Sequence, residues 1–583
     1  MKEVSAMSPE GKRALITGVR RMVFAGLILL GAWLLLIGLR GSAASITAEL
    51  IAGQSGLPQE TVIESLAESG WSSSWVTGEP IAEMMAGRLG PTAQLVVLGG
   101  LMGLVIAAVL LFLGFLISQV TDRPSWLAQV RGVLRLVLVS RGVTIPIFAG
   151  ATLLIIYPAI WWGYMPPIMF IPFFDDPIGN LEMMILPAFF ISLLPAWLLV
   201  QAGHGELANW LGKPTSSYGL LARDVSVKLV TRLLKLVGAI FVVALLMEQI
   251  FVLPGLGRLM MNAAMQRDYP VAFGVVWVFV LIVVLVKLAA ELIEVAYNHF
   301  AKPPVSPEHA EEQTAPRVTI PKGWLFFSLG LVFLSIVAAV VGPMFAPYGM
   351  NEIHAGDMLA APSAKYMLGT DNLGRDIFSR LLFGLRTDFL ALMCIPGLVI
   401  IATGWAILAA YLRRANNWLG DTLEDLVMLP RDVACAFPWL LLLILLMSIM
   451  GPGLFTVALI GGLLLLPRAV GMMREAYSSP PEGRGWLYSV LWSIPVMILL
   501  TVAGSILYTS SASFLGFGIP PPSPELGGML SGAGRSYMFM APWMALWPGI
   551  PLALLGFVWV MAGDTLLERL GFRTKAVWLK AVE

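Results

Sequence analysis

Apolar runs long enough to cross a lipid bilayer recur along the whole chain and restrict it more than any other feature. They fall at 22–39, 93–117, 143–161, 183–201, 236–253 and 271–290, and again at 324–343, 388–410, 433–450, 454–467, 489–509 and 544–562. A hydrocarbon layer of ~30 Å needs about 20 helical residues at ~1.5 Å each. No water reaches backbone N–H and C=O groups there, so each run must satisfy them internally as a helix. The expected fold is therefore all-α and polytopic, with about twelve transmembrane helices. Composition agrees: 58% of residues are hydrophobic and 13% charged, against about 25% charged in soluble domains. A net charge of +1 gives no reason to invoke nucleic acid, and the expected surroundings are lipid.

Lys and Arg placement orients the spans, because basic residues accumulate in cytoplasmic loops. The N-terminus holds Lys2, Lys12, Arg13, Arg20 and Arg21. The loop after span two holds Arg123, Arg131, Arg135 and Arg141, and that after span four Lys213, Arg223, Lys228 and Arg232. Loops between them carry Asp175, Asp176 and Glu182 instead. The opening "KRALITGVRRMVFAGLILLGAWLLLIGLRGSAAS" has the layout of a signal peptide, but its apolar core outruns the ~7–15 residues of a signal h-region and is expected to stay as the first span. Six spans return the chain to the cytoplasm at "AKPPVSPEHAEEQTAPRVTIPKG", a Pro- and Glu-rich stretch that cannot build a core. The expected organisation is thus a first half at 1–300, a cytoplasmic linker at 301–323 and a second half at 324–583. The two six-helix halves start from the same side, as parallel repeats, with both termini cytoplasmic.

Short internal similarities fit that doubling. "TGEPIAEMM" and "LGRDIFSRL" each place Gly two residues before Pro or Asp, then Ile, just ahead of the second span of their half. "LPGLGRL" and "FLGFGIP" both follow the fifth span.

The charged stretch "YMLGTDNLGRDIFSRLLFGLRTDF" (366–389) invites a phosphate-cradle reading, since Gly369 and Gly374 have Walker spacing. Arg375-Asp376 stands where Lys-Ser/Thr is required, and an aspartate repels phosphate. The stretch instead predicts a turn over Gly369-Thr370-Asp371, with Asp371 or Asp376 as a helix cap. An amphipathic helix from Ile377 would then lie at the membrane surface, because charges inside a span are costly.

At this point the sequence resembles a known family. "MFAPYGMN", "HAGDMLAAPSAKYMLGTDNLGRDIFSRLLFGLRTDF", "SFLGFGIPPPSPELGGML" and "APWMALWPGI" resemble the C-type permease subunit of peptide/nickel-family ATP-binding cassette importers. "TGEPIAEMMAGRLGPTAQL", "LPAFFISLLPAWLL" and "EQIFVLPGLGRLMMNAAMQRDYP" resemble its B-type partner. The chain looks like both subunits fused head to tail. Within these motifs the signature positions are Gly369, Thr370, Asp371, Gly374, Arg375, Asp376, Ser379 and Arg380, then Pro254, Gly255, Gly257, Asp268, Tyr269 and Pro270, and Gly516 and Gly518. The resemblance implies a type I importer fold, a pathway between the halves, two cytoplasmic ATPase subunits or domains, and an extracytoplasmic solute-binding protein. It further implies the cytoplasmic membrane of a bacterium or archaeon, and no cofactor in this chain, ATP being handled by the partners.

The loops expected to contact the ATPases depart from the family pattern. The first retains only Tyr218, Ala222 and Arg223, with Ser226 where glycine is expected, followed by Lys228. The second, "REAYSSPPEGRGWLY", keeps Glu475-Ala476 between Arg474 and Arg484, and Pro480-Pro481 should stop any helix there. Either the chain couples through a shortened contact, or coupling is lost or supplied by another subunit.

Other polar residues have bland readings. Lys287, Glu291 and Glu294 are expected at the interface, with Lys287–Glu291 an i,i+4 pair or a mark of a proton or substrate path. Glu248 and Asp388 are expected at span rims. Pro254-Gly255 and Pro520 to Pro522 should shape outer loops, and the loop at 40–91 is a docking face or carries a short surface helix. Cys394 and Cys435 read as small apolar residues, and His204, His299, His309 and His354 lack ligand spacing. An ion-coupled carrier with six-plus-six repeats is the alternative function. An intramembrane enzyme has no motif to support it, so no catalytic activity is expected.

Overall fold

The structure, a computed structural model, describes residues 9–55, 58–119, 170–211, 227, 229–300, 322–392, 395–413, 418–478, 481, 483–531, 536–537 and 540–571. The helices run α1 (Pro9–Ser55), α2 (Gln59–Ser69), α3 (Ile81–Gln119), α4 (Pro177–Leu211), α5 (Val237–Ile250), α6 (Leu256–Met265) and α7 (Tyr269–Phe300). They continue as α8 (Lys322–Val341), α9 (Ile377–Ala391), α10 (Ile395–Arg413), α11 (Trp418–Ala436), α12 (Trp439–Met450), α13 (Leu454–Ser478), α14 (Trp486–Phe514), α15 (Leu526–Leu530) and α16 (Trp543–Arg569).

Among the described residues, nine helices are long and apolar enough to cross a membrane, and eleven when each of two bent pairs is one span. Each span predicted from sequence has its counterpart, except 143–161, which lies outside the described residues. Large apolar side chains such as Phe112, Phe326, Val340 and Leu554 are exposed around the bundle, where lipid would cover them. Mid-helix prolines at Pro91, Pro187, Pro195, Pro467 and Pro495 are tolerated because packing neighbours re-satisfy the freed carbonyls.

Several boundaries differ from expectation. The first span does not end at 39, since α1 continues to Ser55; α2 follows, so much of the supposed 40–91 loop is helical. The span drawn at 433–450 is a bent pair, Thr422–Ala436 and Trp439–Met450, turned by 82° at Phe437-Pro438. Alone, the twelve residues of α12 would reach only ~18 Å. The span drawn at 454–467 runs on through Arg468 to Ser478. The charge of Arg468 lowers the local hydropathy, whereas the helix hydrogen-bond ladder passes straight through it.

Packing ties the early and late helices together. α11 lies along α1, and α12 packs against α5, α6 and α7. The Tyr269 hydroxyl donates to the Ser448 carbonyl at 2.9 Å, and Arg20 pairs with Asp425. At one end of the bundle sit the loops preceding α3 and α9 and the short helices α6 and α15, hereafter the collar end.

Candidate functional site

The collar is built from tight turns around buried charges. Gly374 has φ +76°, and a Cβ there would lie 2.1 Å from the His354 carbonyl oxygen, so only glycine fits. Thr370 and Asp376 form an isolated antiparallel bridge. Asp371 accepts from the Leu373 and Arg375 amides, both at 2.9 Å, and from Arg375 Nε at 2.7 Å. Asp376 is the one that caps α9, accepting from the Ser379 amide and hydroxyl at 2.7 Å. Ser379 Oγ in turn accepts the Tyr348 amide, and Trp543 Nε1 donates to the Thr370 carbonyl. Gly369, at φ +82°, completes the turn.

Here the surface-helix expectation is corrected. α9 opens the stretch Ile377–Arg413, long and apolar enough to cross a membrane, and its Ser379, Arg380 and Asp388 are buried while Arg386 stays exposed. Arg380 is 6% exposed and donates to the Met350 carbonyl at 2.9 Å, with its Nε 3.8 Å from Asp371. Burying a guanidinium is tolerable because carbonyls and a carboxylate surround it. On the solvent side, Asp357 accepts from Lys365 at 2.7 Å and from the Tyr366 hydroxyl at 2.9 Å. These bonds hold the Asp357 carboxyl below its ordinary range.

The same turn occurs before α3. Gly78 has φ +75°, Ser73 bridges Pro80, and the helix begins at Ile81, as α9 begins at Ile377. Asp268, 3% exposed, accepts from Ser74 Oγ and from the Trp75 amide at 3.1 Å, tying this turn to the start of α7 at Tyr269-Pro270.

Rim placement fails for Glu248 and Asp388, which are 0% and 3% exposed. Each belongs to a device that caps a short helix behind the collar. Glu248 accepts from Thr92 Oγ1 (2.6 Å) and from the Gly257 and Arg258 amides (2.7 and 3.2 Å) at the start of α6; Thr92 Oγ1 also accepts the Leu256 amide (2.8 Å). A Cβ on Gly255 would fall 2.1 Å from the Glu248 carboxyl carbon, which explains Pro254-Gly255. In the later half Glu525 accepts from the Gly527 and Gly528 amides (3.0 and 2.7 Å) at the start of α15. Asp388 follows Ile377 at the distance Thr92 follows Ile81, and faces Glu525 and the Leu526 amide. Neither Asp388 oxygen receives a well-formed hydrogen bond. Burial pushes the Glu525 carboxyl above its ordinary range. Gly516, at φ +89°, and Gly518, packed on Ser513, shape the turn leading to this place.

The residues singled out for ATPase contact separate. Tyr218, Ala222, Arg223 and Lys228 lie outside the described residues. Arg474 pairs with Glu424 of α11 at 2.6 Å, and Ala476 is buried, so neither presents a free surface. Glu475 is half-buried, and α13 is described as far as Ser478. Arg484 is exposed and lies 4.8 Å above the Tyr488 ring. Glu291 pairs with Arg21 at 3.3 Å and Glu294 with Lys235 at 2.7 Å.

Between early and late helices lies a cavity of about 220 Å³ that sequence reasoning missed. Its walls include Lys235 and Val242 of the α5 region, Lys287 of α7, Trp439 of α12, Arg468 of α13 and Tyr508 of α14. Trp439 and Tyr508 stack at 3.9 Å with a 7° interplanar angle. The available signal was Arg468, a charge inside "LLLLPRAVGMM".

A multi-helix membrane bundle around a mostly apolar cavity, with Lys235, Lys287 and Arg468 in its wall, fits a transport protein. The comparisons make this specific. The chain is 30% identical over 293 residues to the dipeptide transport system permease protein DppC of Haemophilus influenzae, covering 97% of that protein and 45% of this chain. It is 31% identical over 283 residues to the di/tripeptide transport system permease protein DppC of Pseudomonas aeruginosa (88% and 43%). It is also 31% identical over 265 residues to the glutathione transport system permease protein GsiD of Pectobacterium atrosepticum (85% and 42%). No protein-family model matches the chain. The chain belongs to the family of peptide transport system permease proteins, and is a transmembrane permease component.

Proposed function

We propose that the chain forms, by itself, the translocation pathway of an ATP-driven importer for peptides or a related small solute. The observation that carries this is the cavity walled jointly by α5, α7, α12, α13 and α14. Nearly a whole relative aligns with less than half of this chain, and the collar turn and carboxyl cap each occur twice. Both facts support two fused, parallel halves, 1–300 and 324–583, joined through 301–323. The collar faces away from the cytoplasm and receives a solute-binding protein. Both termini and the Arg484 loop face the cytoplasm of a bacterium or archaeon. Two ATPase subunits or domains there supply the energy; the chain is not an enzyme and carries no cofactor.

Reconstitution tests this reading. With the neighbouring ATPase and binding protein in proteoliposomes, uptake should require ATP and ignore an ion gradient; gradient-driven, ATP-independent uptake would favour the ion-coupled carrier. Charge reversal at Arg223, Lys228 and Arg484 should weaken ATPase capture. Arg474 is unsuitable for that test because reversal would break its pair with Glu424. Undiminished capture and ATPase stimulation would remove these loops as the coupling surface.

A further inference from the structure

An ionisable group within membrane spans is costly and calls for a named partner. Most of the inward-lying arginines here have one among the described residues. Arg375 and Arg380 share Asp371, Arg431 has Asp432, and Arg474 has Glu424. Arg468 differs. Its Nη1 donates to the Leu464 carbonyl of its own helix at 3.3 Å. No described carboxylate lies within ion-pair distance of it, although a guanidinium offers five N–H donors in a fork suited to a carboxylate.

The surroundings share that sign. The described lining of the cavity contains Lys235, Lys287 and Arg468 and no Asp or Glu. Lys235 is neutralised from behind by Glu294, at 2.7 Å, and Glu294 does not line the space. A cationic ligand group would meet no carboxylate side chain of the described lining. Apolar and aromatic side chains make up much of the rest of the lining, among them the stacked Trp439–Tyr508 pair, Val242 and Leu500. At ~30 Å³ per water, about 220 Å³ takes the bulk of roughly seven waters, enough for one end of a small peptide.

Resting on the reading of the chain as a peptide permease, we propose that this cavity binds the terminal carboxylate of the transported solute. Arg468 is its fork-shaped partner, and the Trp439–Tyr508 pair packs on the adjoining apolar side chain. The cavity thus selects solutes with an anionic end and an apolar body.

The test uses the full chain in phosphatidylcholine nanodiscs with tritiated Leu-Leu as the probe and Leu-Leu amide as competitor. The free acid should bind saturably, and the amide should compete at least tenfold more weakly. Arg468→Gln should abolish that preference, and Arg468→Lys should keep part of it while showing that the site tolerates substitution. No saturable binding of the acid, equal competition by the amide, or an unchanged preference in Arg468→Gln would each overturn the proposal. So would displacement of the peptide by phosphatidylglycerol placed in the disc, which would assign the site to lipid phosphate. Uptake of Leu-Leu by cells with and without the chain separates the two levels. Chain-dependent uptake with no acid preference in the discs leaves the permease reading standing and removes the carboxylate site, whereas chain-independent uptake removes both.

Discussion

Truncating Glu248 to alanine should destabilise the protein more than any surface change, and the structure sets the size. The carboxylate is fully buried and takes three donors: Thr92 Oγ1 at 2.6 Å, the Gly257 amide at 2.7 Å and the Arg258 amide at 3.2 Å. Removal orphans the Gly257 amide inside the bundle, at about 1–3 kcal/mol, whereas the Thr92 hydroxyl keeps the Arg88 carbonyl of its own helix as an acceptor at 3.3 Å. Arg258 is partly exposed, so water can replace its bond at little cost. The vacated space against Gly255 adds about 1 kcal/mol. The expected loss is about 3 kcal/mol. Glu248→Gln should cost about half as much, because its amide oxygen can keep the Gly257 and Arg258 amides and its NH2 can donate to Thr92 Oγ1, with only the charge-assisted strength lost. Denaturant unfolding in mixed micelles, followed by tryptophan fluorescence, measures both, and a Thr92→Val cycle should give a coupling of about 1–2 kcal/mol. If Glu248→Ala unfolds within 1 kcal/mol of the parent, the capping device is not what holds α6.

The paired cap gives the opposite sign. Asp388→Thr installs the residue found at the matching place in α3, Thr92, removes a carboxyl facing Glu525, and should raise stability by about 1–2 kcal/mol; a loss in the same unfolding assay would refute the equivalence. Arg474→Ala leaves Glu424 buried and should cost about 2–4 kcal/mol, less than the ~3–5 of a fully buried pair because Arg474 is partly exposed. In the collar, Lys365 and Tyr366 depress the Asp357 carboxyl. The folded form therefore binds fewer protons than the unfolded one, so this contribution is present above the unfolded value of roughly 4. It is lost as pH falls through the lower folded value. Limited proteolysis at 354–371 should accelerate below about pH 4, and Asp357→Asn should remove that dependence.

The spans were legible because hydropathy reports lipid contact directly, and eleven of the twelve expected runs have described counterparts. Their ends were less legible where charge enters a helix. Arg468 ended the predicted span in the sequence but is carried inward by α13. Glu248 and Asp388 looked like rim residues because sequence shows their neighbours, not the partners brought by folding. Thr92 and the α6 amides stand far from Glu248 in sequence or on another helix, and Glu525 far from Asp388. The glycine turn at Gly369 and the Asp376 cap of α9 were readable, since glycine and an Asx residue specify such features locally. Burial of the Arg380 side chain was not, because it depends on Met350 and Pro522, which reach it from other loops.

Two like-facing halves are the foundation of this account, and cysteine labelling addresses them most directly. In a Cys394→Ser, Cys435→Ser background, single cysteines replace Val76 and Leu373, both exposed at matching collar turns, and Arg484 at the other end. A membrane-impermeant maleimide applied to intact cells should reach positions 76 and 373 equally, and position 484 only after permeabilisation. Labelling of 76 and 373 from opposite sides of the membrane would contradict the parallel arrangement.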